Sequence, residues 1–148
     1  MSHAHDLAWC AGFFDGEGWI TIQRRCQTYK DVKYESLYLR IGINHVAPEP
    51  LHEINRVLGG KLRFDKNSHL RNKDGHNRKP RYAWTASCNE AKEILIQLMP
   101  YFKNKQKVAE LGIEFQNTMS EHKKKTPENV LTLRELLKNK ISILNAKD

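Results

Sequence analysis

From Leu37 to Asn44 the chain alternates without a break. Leu37, Leu39, Ile41 and Ile43 are aliphatic, and Tyr38, Arg40, Gly42 and Asn44 fall between them. A period of two sustained this long belongs to a strand with one buried face, so any fold of this chain must contain a sheet with one dry side. Residues 19–27 repeat the pattern, with Ile20 and Ile22 on one side and Thr21, Gln23 and Arg25 on the other. The two strands form a hairpin across a polar connection, 28–35. Two shorter strands follow: 61–66, with Leu62 and Phe64 inward and Lys61, Arg63 and Asp65 outward, and 81–87, with Tyr82 and Trp84 inward and Arg81, Ala83 and Thr85 outward. A long polar loop, 67–79, joins them.

The remaining segments carry helical signals. Residues 7–16 read as a short helix with Asp6 as N-cap. Residues 48–58 start on Pro48 and Pro50, present Leu51, Ile54, Val57 and Leu58 on one face, and stop at Gly59-Gly60. Residues 89–99, capped by Asn89, are interrupted at Pro100, and 103–118 follow with Val108, Leu111 and Phe115 on one face. Beyond a hydrophilic linker, 121–127, the last helix spans 131–144 and packs through Leu133, Leu136, Leu137, Ile141 and Leu144. The order predicts an α+β domain, one antiparallel sheet with helices on its apolar face. The 148 residues suit one domain, with a core of about 5–118 and a helical extension of about 128–145.

Several classes are excluded. The three cysteines, Cys10, Cys26 and Cys88, are scattered and form neither a disulfide frame nor a zinc-ligand spacing. No stretch is apolar enough to span a bilayer, and Met-Ser-His-Ala-His-Asp has no signal-peptide order. The expectation is a cytoplasmic or organellar-matrix protein with no membrane partner.

Charge points to a polyanion. The net charge is +8, from 25 basic and 17 acidic residues. Between Lys61 and Arg81 lie eight basic residues (Lys61, Arg63, Lys66, Arg71, Lys73, Arg78, Lys79, Arg81) against Asp65 and Asp74. Such a loop suits a phosphate backbone, although a solvated loop is the plain alternative. The outward strand positions Thr21, Gln23, Arg25, Tyr38, Arg40, Asn44, Lys61, Arg63, Asp65, Arg81, Ala83 and Thr85 carry no large aliphatic. Arginine, glutamine and asparagine among them are the side chains that make bidentate contacts to guanine and adenine. A polar face is also ordinary for a half-solvated antiparallel sheet.

The chemistry concentrates in Ala11-Gly12-Phe13-Phe14-Asp15-Gly16-Glu17-Gly18. Ala8, Gly12 and Gly16 fall four apart and leave a helix stripe without side-chain bulk. Each glycine lowers helix stability by about 1 kcal/mol relative to alanine, which close approach of a second helix would explain. Asp15 and Glu17 stand beside the unpaired carbonyls of the helix end, a cluster of negative charge that a cation would relieve. Oxygen-only ligands favour Mg2+ over zinc. A calcium loop lacks its spacing here, and a structural capping turn is the bland reading.

This segment resembles the LAGLIDADG motif of homing endonucleases, in the class with one motif per chain. The helix–hairpin–helix–hairpin order resembles that family's αββαββα core. Leu98-Met99-Pro100-Tyr101-Phe102-Lys103-Asn104-Lys105-Gln106-Lys107 is similar to the segment that brings a basic residue to its active site. The resemblance implies a homodimer on double-stranded DNA, with motif helices packed across a two-fold axis through Ala8, Ala11, Gly12, Asp15 and Gly16. It implies Glu17 as the metal-binding acid with the Gly16 carbonyl as a further ligand, and Lys105 as the basic residue. It places Asp15 as a brace of the turn and Asn44 or His45 where a water-positioning glutamine often stands. The implied cofactor is Mg2+, with Mn2+ able to substitute and Ca2+ binding without supporting cleavage. Arg71, Lys73, Arg78 and Lys79 become DNA contacts.

The sequence departs from that pattern at Cys10, where the motif has leucine, and at Glu17, where it has aspartate. Glu49 also falls near a position that is basic in some members. The implied function is a site-specific, metal-dependent double-strand endonuclease acting on a long pseudo-palindromic site. An RNA-binding maturase or a non-cleaving DNA-binding regulator on the same fold are the alternatives.

Overall fold

A computed structural model describes residues 3–65, 81–119 and 127–146. Helix α1 (His3–Glu17) runs directly into strand β1 (Gly18–Tyr29), which returns as β2 (Val32–His45). Helix α2 (Glu49–Leu58), strand β3 (Lys61–Asp65) and strand β4 (Arg81–Ser87) follow. The chain ends in α3 (Cys88–Leu98), a 3-10 turn (Met99–Tyr101), α4 (Gln106–Asn117) and α5 (Glu128–Ala146). The two hairpins join into one antiparallel sheet of order β1-β2-β4-β3, as the alternation predicts.

One face of the sheet is dry. Ile20, Ile22, Leu37, Leu39, Ile41, Ile43, Trp84 and Ala86 are buried beneath Phe14, Leu51, Ile54, Ile94, Leu95, Leu98, Phe115, Leu137 and Ile141 from the helices. A one-residue slip of β2 would turn Leu39, Ile41 and Ile43 to water, at about 1.5–3 kcal/mol each, so the register is strongly fixed. The Trp84 indole is fully buried, and its N–H is satisfied by the Gly59 carbonyl at 2.7 Å. Gly60 has φ +88°, and a Cβ there would stand 2.5 Å from the indole nitrogen, so the stop after α2 needs glycine twice over.

The elements depart from the sequence reading in places. The β1–β2 hairpin has no loop over 28–35: Tyr29 pairs with Val32 across a two-residue turn, and Lys30 and Asp31 have φ 49° and 64°. Positive φ at both central residues gives the twist that long hairpins require. Helix α1 begins at His3, and Asp6 lies within its first turn, 3.5 Å from Arg56 of α2, rather than capping it. Ser87, not Asn89, precedes α3; the Asn89 carboxamide instead accepts from Gln116 of α4. Phe64 stacks on Tyr82 near the β3 edge but stays 51% exposed, so it is not a core residue.

All three cysteines are free. Burial pushes the Cys10 thiol up to about 12, so it is a small core residue rather than a reactive one. No helix among the described residues is long and apolar enough to cross a membrane.

Candidate nucleic-acid interface and catalytic centre

Helix α1 divides its residues between two surroundings. Cys10, Ala11 and Phe14 are buried in the protomer's own core, whereas Ala8, Gly12, Gly16 and Glu17 are exposed. Ala11 therefore faces inward, and its expected place on a helix–helix contact is corrected: its methyl is already covered by its own chain. Ala8, Gly12 and Gly16, the expected stripe, are all exposed. A Cβ added at Gly12 or Gly16 would meet nothing within 4 Å among the described residues. Trp9, 45% exposed, stacks on Phe13 beside this stripe at 5.5 Å between ring centroids. On this half-buried helix, the two glycines leave open space that no described residue of the protomer fills.

Glu17 ends the helix, and its carboxylate has no hydrogen bond or ion pair among the described residues. Asp15 has a different task. Its carboxylate accepts the backbone N–H groups of Lys103, Asn104 and Lys105 at 2.7, 3.3 and 3.0 Å. It braces a turn, but of the segment entering α4 rather than of the motif itself. Donors left over at a helix start and a carboxylate are complementary, so the bond set ties Lys105 to the end of α1. Lys105 and Gly18 then line the same cavity, of about 290 Å³, with Trp19, Ile20, Val108 and Asn145. Asp15→Ala is expected to lower stability by about 2 kcal/mol, because three N–H groups lose a charged acceptor. A fall of roughly 5 °C in Tm by calorimetry would register it; an unchanged Tm would mean that water replaces the carboxylate.

Asn44 and His45 lie just beyond the Gly18–Ile43 pair at this end of α1, past β1 but still paired with Ala83 and Tyr82 of β4. Asn44 is exposed. The Nδ1 of His45 lies 3.0 Å from the Ala47 N–H and 3.1 Å from the Ala47 carbonyl, so that nitrogen is committed to the turn before α2 in either tautomer. Its ring also tilts against Phe13. Only Nε2 is left for other chemistry.

No group of three or more His, Cys, Asp or Glu that could hold a metal exists among the described residues. Glu17 and the Gly16 carbonyl are hard oxygen donors on exposed residues, which fits Mg2+ in kind. One protomer does not complete such a ligand set; a second carboxylate and phosphate oxygens would.

The outward face of the sheet collects the polar residues that alternation assigned to it. Arg25, Tyr38, Arg40, Lys61, Arg63 and Thr85 line one cleft of about 420 Å³, together with Ala86, Ser87 and Glu90. Thr85 keeps only 6% of its surface, being flanked by Gly42 and Lys61 in the register. Thr21 pairs with Arg40 and Gln23 with Tyr38, and Asn44 and Arg63 lie level with Ala83 on either side of it. Asp65 pairs with Arg81 through the backbone. The expected contacts Arg71, Lys73, Arg78 and Lys79 lie outside the described residues.

Sequence reasoning missed Trp19. Its parity places it with Thr21 and Gln23, and its indole lies over Gly42, where a Cβ would collide with it. The Arg40 guanidinium sits 5.7 Å from the same ring, so the face carries an aromatic platform as well as charges.

Comparison with known proteins agrees with this geometry. No curated protein sequence matches the chain. Among solved structures, I-CvuI in complex with its target in the presence of calcium has a TM-score of 0.68 at 21% identity, over 96% of this chain and 83% of that one. The archaeal intron-encoded homing endonuclease I-Vdi141I, complexed with DNA, gives 0.72 at 18% identity, over 97% and 86%. The LAGLIDADG homing endonuclease I-GzeII, in complex with its DNA target, gives 0.65 at 16% identity, covering 89% of this chain but 43% of its own. These likenesses establish a shared fold. The sequence profile of the LAGLIDADG endonucleases matches residues 10–122, which includes the motif at the end of α1, the whole sheet and the Asp15-braced segment, and the chain therefore belongs to that family.

Proposed function

We propose that this protein is a homodimeric DNA endonuclease that makes metal-dependent double-strand cuts in a long pseudo-palindromic site. The observation that carries the reading is the open α1 stripe, which ends in an exposed Glu17 with no partner among the described residues. A two-fold axis through that stripe would bring two Glu17 carboxylates together and set two polar sheet faces side by side. The coverage figures support two copies: the chain spans most of I-CvuI but less than half of I-GzeII, which has room for two such units.

Glu17 and the Gly16 carbonyl would hold Mg2+, with Mn2+ as a substitute and Ca2+ as a non-productive occupant. When bound, such an ion polarises a scissile phosphate and lowers the pKa of water. Lys105, held by Asp15, places a cation beside the reacting phosphate and offsets the negative charge that builds there. Asn44 and the Nε2 of His45 orient the attacking water. Arg25, Tyr38, Arg40, Lys61, Arg63 and the other outward residues hold and read the duplex. Arg71, Lys73, Arg78 and Lys79 follow its phosphates.

Lys105→Ala is expected to slow cleavage about a hundredfold while weakening DNA binding by less than tenfold, as measured by single-turnover kinetics and fluorescence anisotropy. A change confined to the salt dependence of binding would make Lys105 a phosphate contact instead.

The direct test is cleavage selection on a randomised duplex library with Mg2+ and with EDTA. Discrete, EDTA-sensitive double-strand cuts at one near-palindromic site support the reading. Selective binding without cutting would assign a regulator, and preference for structured RNA a maturase.

A further inference from the structure

The Gln23 carboxamide is wired from below. The Tyr38 hydroxyl donates to Gln23 Oε1 at 2.7 Å, and Arg40 Nη1 donates to the same oxygen at 3.3 Å. A guanidinium has no acceptor, so the Gln23 atom that faces it must be the oxygen and not the amino group. Both lone pairs of that oxygen are thereby engaged within the protein.

The partners are themselves held. Arg40 sits over the Trp19 ring, which is seated on Gly42, and the Arg25 guanidinium covers the Tyr38 ring at 4.5 Å. Trp19, Arg40, Gln23, Tyr38 and Arg25 form a connected row across the outward face of β1 and β2. Gln23 is part-buried in it, and among the described residues nothing engages its two amide hydrogens.

We infer that Gln23 is a donor-only reader that selects guanine and rejects adenine. A free glutamine pairs with adenine in both directions, giving a hydrogen to N7 and accepting one from the N6 amino group. Here the accepting half is spent on Tyr38 and Arg40. Guanine presents two adjacent acceptors, N7 and O6, in the major groove, and adenine presents an acceptor beside a donor. The remaining donors of Arg40 have the same preference. Row and residue thus favour one base, although glutamine alone would suggest the other.

This inference rests on the sheet being a DNA-reading surface, and the experiment separates the two. Duplexes with both half-sites randomised are selected for binding to the full chain, to Gln23→Glu, and to the double variant Tyr38→Phe with Arg40→Ala. One position per half-site is expected to respond to Gln23→Glu, with guanine there for the wild type and cytosine for the variant, because a carboxylate only accepts. The double variant frees the Gln23 oxygen, so preference for guanine over adenine should fall about tenfold or more. An A·T pair at the responsive position of the wild type, or no position responding to Gln23→Glu, overturns the wiring while leaving the platform intact. Failure of the wild type to enrich any sequence removes the platform, and the inference with it.

Discussion

Glu17→Gln is expected to slow DNA cleavage on the order of a thousandfold while duplex affinity stays within a few-fold of wild type. The substitution keeps the shape of the side chain and removes its charge. Glu17 is exposed and has no hydrogen bond or ion pair among the described residues, so little change in stability is expected from losing the charge. An ion held there is worth several kcal/mol in a transition state with growing phosphate charge, and each 1.36 kcal/mol is tenfold in rate. Binding should not weaken, because the lost charge has the same sign as DNA. Cleavage in Mg2+ followed on gels, beside anisotropy titrations without divalent ion, reads the two quantities apart. Parallel loss of both would place Glu17 in folding or dimerisation rather than in the chemistry.

Much of the fold was legible because burial writes itself into period. Leu37 to Ile43 alternate, and each of the four aliphatics is in the core. The hairpin tip was illegible for the converse reason. From Arg24 to Ser36 both faces are exposed, so no alternation is needed, and a continuous pair of strands reads as a polar connection. Turn chemistry did not help either, since the turn uses Lys30-Asp31 where a glycine would have announced it. Cap residues misled where a side chain found a distant partner: Asn89 turned to Gln116, 27 positions away, and Asp6 to Arg56.

The candidate site was legible through residue type more than through place. The acid and the glycines drew attention because each is costly or unusual where it stands, whereas Lys105 came only through the family resemblance. The link between them was hidden, because Asp15 reaches backbone N–H groups 88 to 90 positions away and backbone donors carry no sequence mark. Ala11, which only the resemblance put on the helix contact, shows the limit of carrying a motif over whole. It adjoins Gly12 in the motif, yet one step of about 100° around a helix separates a core position from an open one. Trp19 was left out of the outward set, although its parity already placed it on the polar face.

Gly12→Leu is expected to act in opposite directions on the protomer and on the dimer. Within one chain a Cβ at Gly12 meets nothing within 4 Å among the described residues, and replacing an exposed helical glycine raises helix stability by roughly 1 kcal/mol. Across a two-fold axis the same residue meets its own copy, so each inserted side chain is felt twice. Overpacking costs about 1–3 kcal/mol per side chain, or roughly 2–6 kcal/mol for the pair, which weakens dimerisation about 30-fold to 10⁴-fold. Sedimentation velocity across a dilution series should show the wild type as a dimer and Gly12→Leu as a folded monomer with native circular dichroism. Double-strand cutting should vanish with the dimer, because each copy supplies one acid. A variant that unfolds would mean that the stripe serves its own chain, and one that remains a cutting dimer would move the interface elsewhere. The two signs distinguish a surface kept bare for a partner from one kept bare for the fold.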